Sequence, residues 1–209
     1  MIKSLVIVFA KNQVEGTVKT RLARSIGNFA ALEVYKELLK ITEEATSELP
    51  VDTWIYYSNE IDHSQWPQAE KRIQQGDDLG LRMKNAFNDA FSANYQQVVL
   101  IGSDLPDMSS TIILQAFDAL STHEAVFGPA EDGGYYLIGL NGIIDSLFIN
   151  KPWSQPHLLK ETLNELDRLK HSYVQLPFLN DIDTIEDLLA SRFLEQRKEL
   201  KKTIALFND

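Results

Sequence analysis

The sequence predicts an α/β fold, in which residues 1–209 form a single domain around a mostly parallel central sheet flanked by helices. Three observations predict it. Short apolar runs alternate with segments of helical period, the pattern of strand–helix–strand units. Two runs, SLVIVFA at 4–10 and VVLI at 98–101, are continuously apolar, as strands buried on both faces are. The chain of 209 residues suits one domain with a substantial core, and no repeat, low-complexity linker or break divides it.

Composition narrows the function classes. There is no cysteine, which excludes disulfides and thiolate metal sites. The formal net charge of −10 argues against broad nucleic-acid binding. A phosphate-bearing ligand would need a local cluster of Lys and Arg, a metal, or both. No apolar run approaches the roughly 20 residues of a membrane span, and Met1-Ile2-Lys3 leads directly into the first strand with no signal peptide. These readings predict a cytoplasmic protein.

The elements follow in order. After the strand at Ser4 to Ala10, a loop from Lys11 to Leu22 places Lys11, Lys19 and Arg21 near a strand end, where open α/β sheets bind ligands. Gly16 permits a turn there that other residues resist. Lys19 offers phosphate a point charge and Arg21 a planar fork. The Gly16-x-x-Lys19-Thr20 fragment matches the end of a P-loop, but the earlier glycine of that motif is absent. Asn28 is expected to cap a long helix running to about Leu49, ended by Pro50. Strands follow at Asp52 to Tyr57 and, weakly, at Arg72 to Gln75. Asp77 or Asp78 then caps a helix reaching about Ala93, whose Leu79, Met83, Ala86, Phe87 and Phe91 have helical spacing. The functional alternative is that this helix start, with Asp78 and Arg82, faces a base, sugar or phosphate.

The strand at 98–101 ends in Gly102-Ser103-Asp104, at the point where it should leave its sheet. Asp104 there either caps the turn or reaches a metal or a ligand hydroxyl. A helix is predicted from Ser110 to Leu120 and a strand from Glu124 to Gly128. Between that strand and the apolar run beginning at Tyr135 lies Glu131-Asp132-Gly133-Gly134. Adjacent glycines read as a hairpin turn, or as a place where a ligand meets exposed backbone amides beside Asp132. The two readings are compatible. A short helix at Ile143 to Phe148 precedes Asn150 to Pro156, a loop that could lie exposed over the site. A helix from His157 to Leu169 and a strand from Ser172 to Leu176 follow. Thr184 with Asp187 fits a capping box that leaves Asp181 and Asp183 unexplained. Glu195 to Lys202 reads as a charged, solvated helix face. His63, His123, His157 and His171 have no metal-binding spacing and read as surface residues.

Taken together, VFAKNQVEGTVKTRL, QGDDLGLRM, VVLIGSDLP, GPAEDGGYYLIGL and NDIDTIEDL resemble one family, over residues 5 to 188. The chain resembles the small bacterial glycosyltransferases of the domain-of-unknown-function 2064 group, some of them linked to arsenosugar biosynthesis. They lie in the nucleotide-diphospho-sugar transferase superfamily. The resemblance implies a glycosyltransferase A fold, similar to molybdenum-cofactor and 2-phospholactate nucleotidyltransferases. It implies a nucleotide-phosphate loop at Lys11, Gly16, Lys19 and Arg21. Asp78 and Arg82 complete the nucleotide-binding set. Asp104 takes the metal-binding place, Gly133 and Gly134 with Tyr135 form an acceptor or sugar turn beside Asp132, and Asp183, with Asp181, completes a metal site. The chain departs from the family at Gln13 and Glu15, where proline is usual, and has Gly-Ser-Asp in place of Asp-x-Asp.

Such an enzyme transfers a sugar from a nucleotide-diphosphate donor to a small acceptor. Mg²⁺ or Mn²⁺ on Asp104, with Lys19 and Arg21, would stabilise the departing phosphate. Asp132 would take the acceptor's proton. The alternatives are a nucleotidyltransferase using a nucleoside triphosphate and a small phosphorylated acceptor, and a non-catalytic nucleotide-binding protein.

Overall fold

The computed structural model describes residues 2–195 and 197–205. The predicted apolar runs pair into one seven-stranded sheet: β1 (Ser4–Ala10), β2 (Asp52–Tyr57), β3 (Glu70–Ile73), β4 (Gln97–Ile101), β5 (Ala125–Pro129), β6 (Tyr135–Leu140) and β7 (Tyr173–Gln175). Their spatial order is β3-β2-β1-β4-β6-β5-β7. All neighbours are parallel except β6, which runs antiparallel to both β4 and β5. The Gly133-Gly134 turn is thus the β5–β6 hairpin connection.

Among the described residues, seven α-helices flank the sheet: α1 (Thr20–Ile26), α2 (Asn28–Ser47), α3 (Leu79–Ser92), α4 (Ser110–Leu120), α5 (Leu158–Leu169), α6 (Ile185–Ala190) and α7 (Lys198–Ala205). Continuously apolar strands feed two cores because alternate side chains leave opposite faces. On β1, Val6, Val8 and Ala10 meet α2 and α4, together with Val99 and Ile101 of β4. Leu5 and Ile7 meet α3 and α5, together with Val98 and Leu100. No helix among the described residues is long and apolar enough to cross a membrane.

Several local expectations need correction. Residues 20–26 form α1 rather than loop; Leu22 and Ile26, four apart, bury its inner face, and Gly27 ends it. Asn28 is the first residue of α2 and caps nothing: Gly27 precedes it at φ 81° with no side-chain cap. The helix expected at 143–148 is one 3₁₀ turn, Asp145–Leu147. The C-terminal segment is not merely solvated. Leu200 and Ile204 are buried beside Ala30, Val34 and Leu38, and Arg197 Nε donates to Glu37 Oε2 at 3.1 Å. Met1 and Gln196 lie outside the described residues.

The strand order places the site. The chain runs outward from β1 to β2 and β3, then crosses to the other side of β1 to make β4. The carboxyl ends of β1 and β4 therefore flank a topological switch point, where α/β sheets open a ligand crevice.

Candidate active site

Lys11 leaves β1 and Gly102-Ser103-Asp104 leaves β4 at that point. Tyr35, from the middle of α2, ties the two ends together. Its hydroxyl accepts from Lys11 N at 2.7 Å, donates to Lys11 O at 3.1 Å and lies 3.1 Å from Ser103 Oγ. Asn12 fastens the β1 exit to the β2 exit. Its Oδ1 accepts from Asn59 N at 2.9 Å and its Nδ2 donates to Glu60 O at 2.7 Å. Neither role is legible in the sequence: Tyr35 shares the helical spacing of the buried residues of α2, and Asn12 stands in no local motif.

The loop from Lys11 to Lys19 turns at Gly16, φ 79°, as expected. Lys19 itself is left-handed, φ 48°, a region that β-carbon sterics disfavour. Its buried side chain accounts for the conformation. Lys19 Nζ lies 2.9 Å from Asp104 Oδ1 and 3.0 Å from Asp183 Oδ1, and Arg21 Nη2 pairs with Asp183 Oδ2. Burial alone would lower the Lys19 pKa, but the attraction of Asp104 and Asp183 outweighs it and holds the ammonium above its ordinary value. Burial would raise Asp183, yet Lys19 and Arg21 pull it below the usual carboxylate range. Asp181 lacks such close cations. Burial, with the Asp183 and Asp132 charges nearby, raises it to about 6.

Lys19, Arg21, Asp104 and Asp183 thus form one cluster, although Lys19 and Asp183 stand 164 positions apart. Asp104 does not cap the next helix; Ser109 does, accepting from Ile112 N. The capping box at Thr184 and Asp187 is formed, and it aims the residues just before α6 at Lys19.

The nominated metal ligands, Asp104 and Asp183, converge on an ammonium. Carboxylates are suitable oxygen donors for Mg²⁺ or Mn²⁺, but Lys19 Nζ holds the point between them. Among the described residues no group of three or more His, Cys, Asp or Glu side chains is arranged to hold a metal ion. The site as built does not fit a resident divalent cation there, because that cation would replace one already buried and paired.

Two cavities meet beyond the strand ends. One, of about 400 Å³, is a cleft of mixed lining whose polar side chains include Lys11, Ser58, Gln74, Arg82, Asp104 and Asp183. The other, of about 210 Å³, has Asp132, Gly134 and Trp153 in its wall. Phe9, Tyr135 and Asp181 line both. A third groove joins Arg21, Asp132, Asp181 and Asp183.

Asp78 is the α3 cap, its Oδ1 accepting from Leu81 N at 2.8 Å. Arg82, one turn on, donates from Nε to Gly76 O at 2.9 Å and faces the larger cleft. The glycine pair does not offer the open amides expected of it. Gly133 N donates to Ala130 O at 3.1 Å, and Gly134 N to Asp132 Oδ1 at 2.8 Å. What approaches Gly133 is the chain itself: at φ 87°, a β-carbon there would lie 1.9 Å from Pro156 O. Segment 150–156 does lie over the site, but Lys151, Pro152 and Trp153 are partly buried rather than exposed.

Comparison with known proteins bears on this geometry. The sequence pattern of the family described as "Uncharacterized protein conserved in bacteria (DUF2064)" matches residues 41–155, more than half of the chain. The chain belongs to this family. It is also 31% identical to a solved structure from Desulfovibrio desulfuricans G20, described as a "putative nucleotide-diphospho-sugar transferase", with 99% of each chain covered and a TM-score of 0.89. More distant structures show the same fold. A cytidylyltransferase from Leptospira borgpetersenii is 17% identical, with 100% of this chain and 98% of that chain covered and a TM-score of 0.55. A 4-diphosphocytidyl-2C-methyl-D-erythritol synthase from Anaerococcus prevotii is 12% identical, with 94% and 97% covered and a TM-score of 0.58. No curated protein matches the chain.

Proposed function

We propose that this member of the DUF2064 family is a nucleotide-dependent transferase that moves a sugar from a nucleotide-diphosphate donor to a small acceptor. The observation that carries this reading is the pair of joined cavities at the β1/β4 switch point, one with Lys11 and Arg82 beside Asp104 and Asp183 in its wall, the other holding Asp132 and no cation among its described residues, with Asp181 in the wall of both. Adjoining spaces of which only one offers cations suit a donor and an acceptor that react at their boundary. The description of the 31%-identical relative supports the choice of a sugar nucleotide. The more distant cytidylyltransferases speak for the fold alone.

In this reading Lys11 and Arg82 meet the nucleotide's phosphates, and Arg21, 58% exposed at its side chain, remains available to the departing diphosphate. Lys19 is the internal cation that holds Asp104 and Asp183 in place. The acceptor oxygen bonds to the sugar's anomeric carbon, and the bond from that carbon to the diphosphate oxygen breaks, its electron pair leaving with the nucleotide. The acceptor's proton passes to a carboxylate, Asp132 or its neighbour Asp181. Asp132→Asn and Asp181→Asn, assayed separately, identify which of the two takes it.

The test is a thermal-shift panel of UDP-, GDP-, ADP- and dTDP-sugars against nucleoside triphosphates, with and without Mn²⁺. Stabilisation by one intact sugar nucleotide is the expected result. Preference for a triphosphate would point instead to nucleotidyl transfer, and no shift with any ligand would point to a non-catalytic protein. A strict Mn²⁺ requirement would mean that Lys19 gives way to a metal on nucleotide binding.

A further inference from the structure

The smaller cavity differs in chemistry from the cleft it joins. Its wall is mainly apolar and includes Phe9, Met83, Leu100, Trp153 and Leu158. Among the described residues that line it, none is Lys, Arg or His, and its charged groups are Asp132 and Asp181. A phosphate or carboxylate placed there would give up its water, meet no cation and face two carboxylates. An apolar ring would gain the ordinary driving force of burial. Since a cavity of about 150 Å³ admits benzene, the available 210 Å³ accommodates roughly eight non-hydrogen atoms: one ring with a short substituent.

The wall is braced, so the space is built rather than incidental. Trp153 is wedged against α3, where a β-carbon at Gly80 would lie 2.5 Å from its Cζ2. Lys151, 6% exposed at its side chain, pairs with Glu165 of α5. Pro156 closes on Gly133, and Leu159 N donates to Gly133 O at 3.0 Å. Among the described residues, the buried Tyr135 hydroxyl has no hydrogen-bond partner, whereas its neighbour Tyr136 donates to Pro177 O at 3.0 Å. Tyr135 lines both cavities, and a ligand oxygen at their boundary would supply the missing partner.

We infer, resting on the transferase reading above, that this cavity receives the acceptor, and that the acceptor is a neutral monocyclic alcohol or phenol bearing no phosphate or carboxylate. Its ring lies against Trp153, Met83 and Leu100. Its hydroxyl turns toward Asp132 and Asp181, where the donor cleft begins. An anionic acceptor is refused by the two carboxylates rather than by size.

The test is binding of 4-fluorobenzyl alcohol and of 4-fluorobenzyl phosphate to the whole protein, followed by fluorine NMR with and without saturating UDP. The alcohol is expected to bind saturably, at least about tenfold tighter than the phosphate, and to remain bound when UDP is present. Trp153→Ala should weaken the alcohol about tenfold. Tyr135→Phe should weaken it about threefold with no loss of melting temperature, because the hydroxyl it removes has no hydrogen-bond partner among the described residues. Equal or tighter binding of the phosphate would overturn the inference. So would displacement of the alcohol by UDP, or wild-type affinity in both variants. If UDP itself fails to bind, the nucleotide reading falls, while the comparison of alcohol with phosphate still decides the chemistry of this cavity.

Discussion

Replacing Lys19 by Met tests the charge cluster directly. The Lys19 side chain is 2% exposed, and its partners Asp104 and Asp183 are 30% and 28% exposed. Removing one partner of a fully buried ion pair costs about 3–5 kcal/mol, because the charge left behind is uncompensated. A fully exposed pair is worth about 0–1 kcal/mol. Here the lysine is buried but both carboxylates keep contact with water, so the expected cost is intermediate, about 2–3 kcal/mol. For a chain of this size that lowers the melting temperature by roughly 5–10 °C. The pH dependence identifies the cause. Asp183 is depressed below its ordinary 3.8 and Lys19 raised above its ordinary 10.5. The carboxylate's contribution is present above its unfolded pKa and lost as pH falls through the folded one, while the lysine's is fully present below 10.5. The deficit in Lys19→Met should therefore be fully present near neutral pH and shrink only as pH falls below 3.8 toward the depressed folded value of Asp183, where the wild-type protein loses the pair as well. Lys19→Met/Asp104→Asn should recover about half of the loss, the signature of coupled neighbours. Melting curves of the wild type and the two variants between about pH 2.5 and pH 8 decide the matter. A Lys19→Met protein as stable as wild type at pH 7.5, or one equally weakened at about pH 2.5, would refute the reasoning.

Other outcomes follow from the same geometry. Arg21→Ala should weaken nucleotide affinity about tenfold, whereas Lys3→Ala should leave it unchanged, since Lys3 precedes β1 at the opposite edge of the sheet; titration calorimetry compares them, and equal losses would remove Arg21 from the phosphate site. Tyr35→Phe deletes the hydroxyl shared by Lys11 and Ser103 and should cost about 1–3 kcal/mol in denaturant unfolding; no change would mean that the clamp contributes nothing. Gly133→Ala forces a β-carbon onto Pro156 O at φ 87°, so it should lower the melting temperature and change the fluorescence of Trp153, and a variant with wild-type values would show that segment 150–156 is not braced there. Asp78→Ala should cost about 1 kcal/mol, as a lost helix cap does, with nucleotide affinity intact; a large loss of affinity would return Asp78 to the binding site.

What the sequence determined by itself is local and periodic. Runs of β-branched, aromatic and other apolar residues specified β1, β2 and β4 almost to the residue, and the cap chemistry of Asp77 or Asp78 and of Thr184 marked two helix starts, because each depends on neighbours a few residues away. The glycine pair signalled its hairpin for the same reason. α1 escaped because seven residues carry too few turns to show a period, and no side chain caps its start. Position at strand ends singled out Lys19 and Asp104 and the resemblance gave Asp183 a role, but the tertiary structure decided what they do to one another. That decision required the strand order, since only the crossing from β3 back past β1 to β4 brings residue 104 beside residue 19. It also required the segment before α6 to close over both, 164 positions from Lys19. The same holds for Tyr35 and Trp153. Each reads locally as an ordinary apolar residue, and its part in the site comes from contacts that no short window of sequence contains.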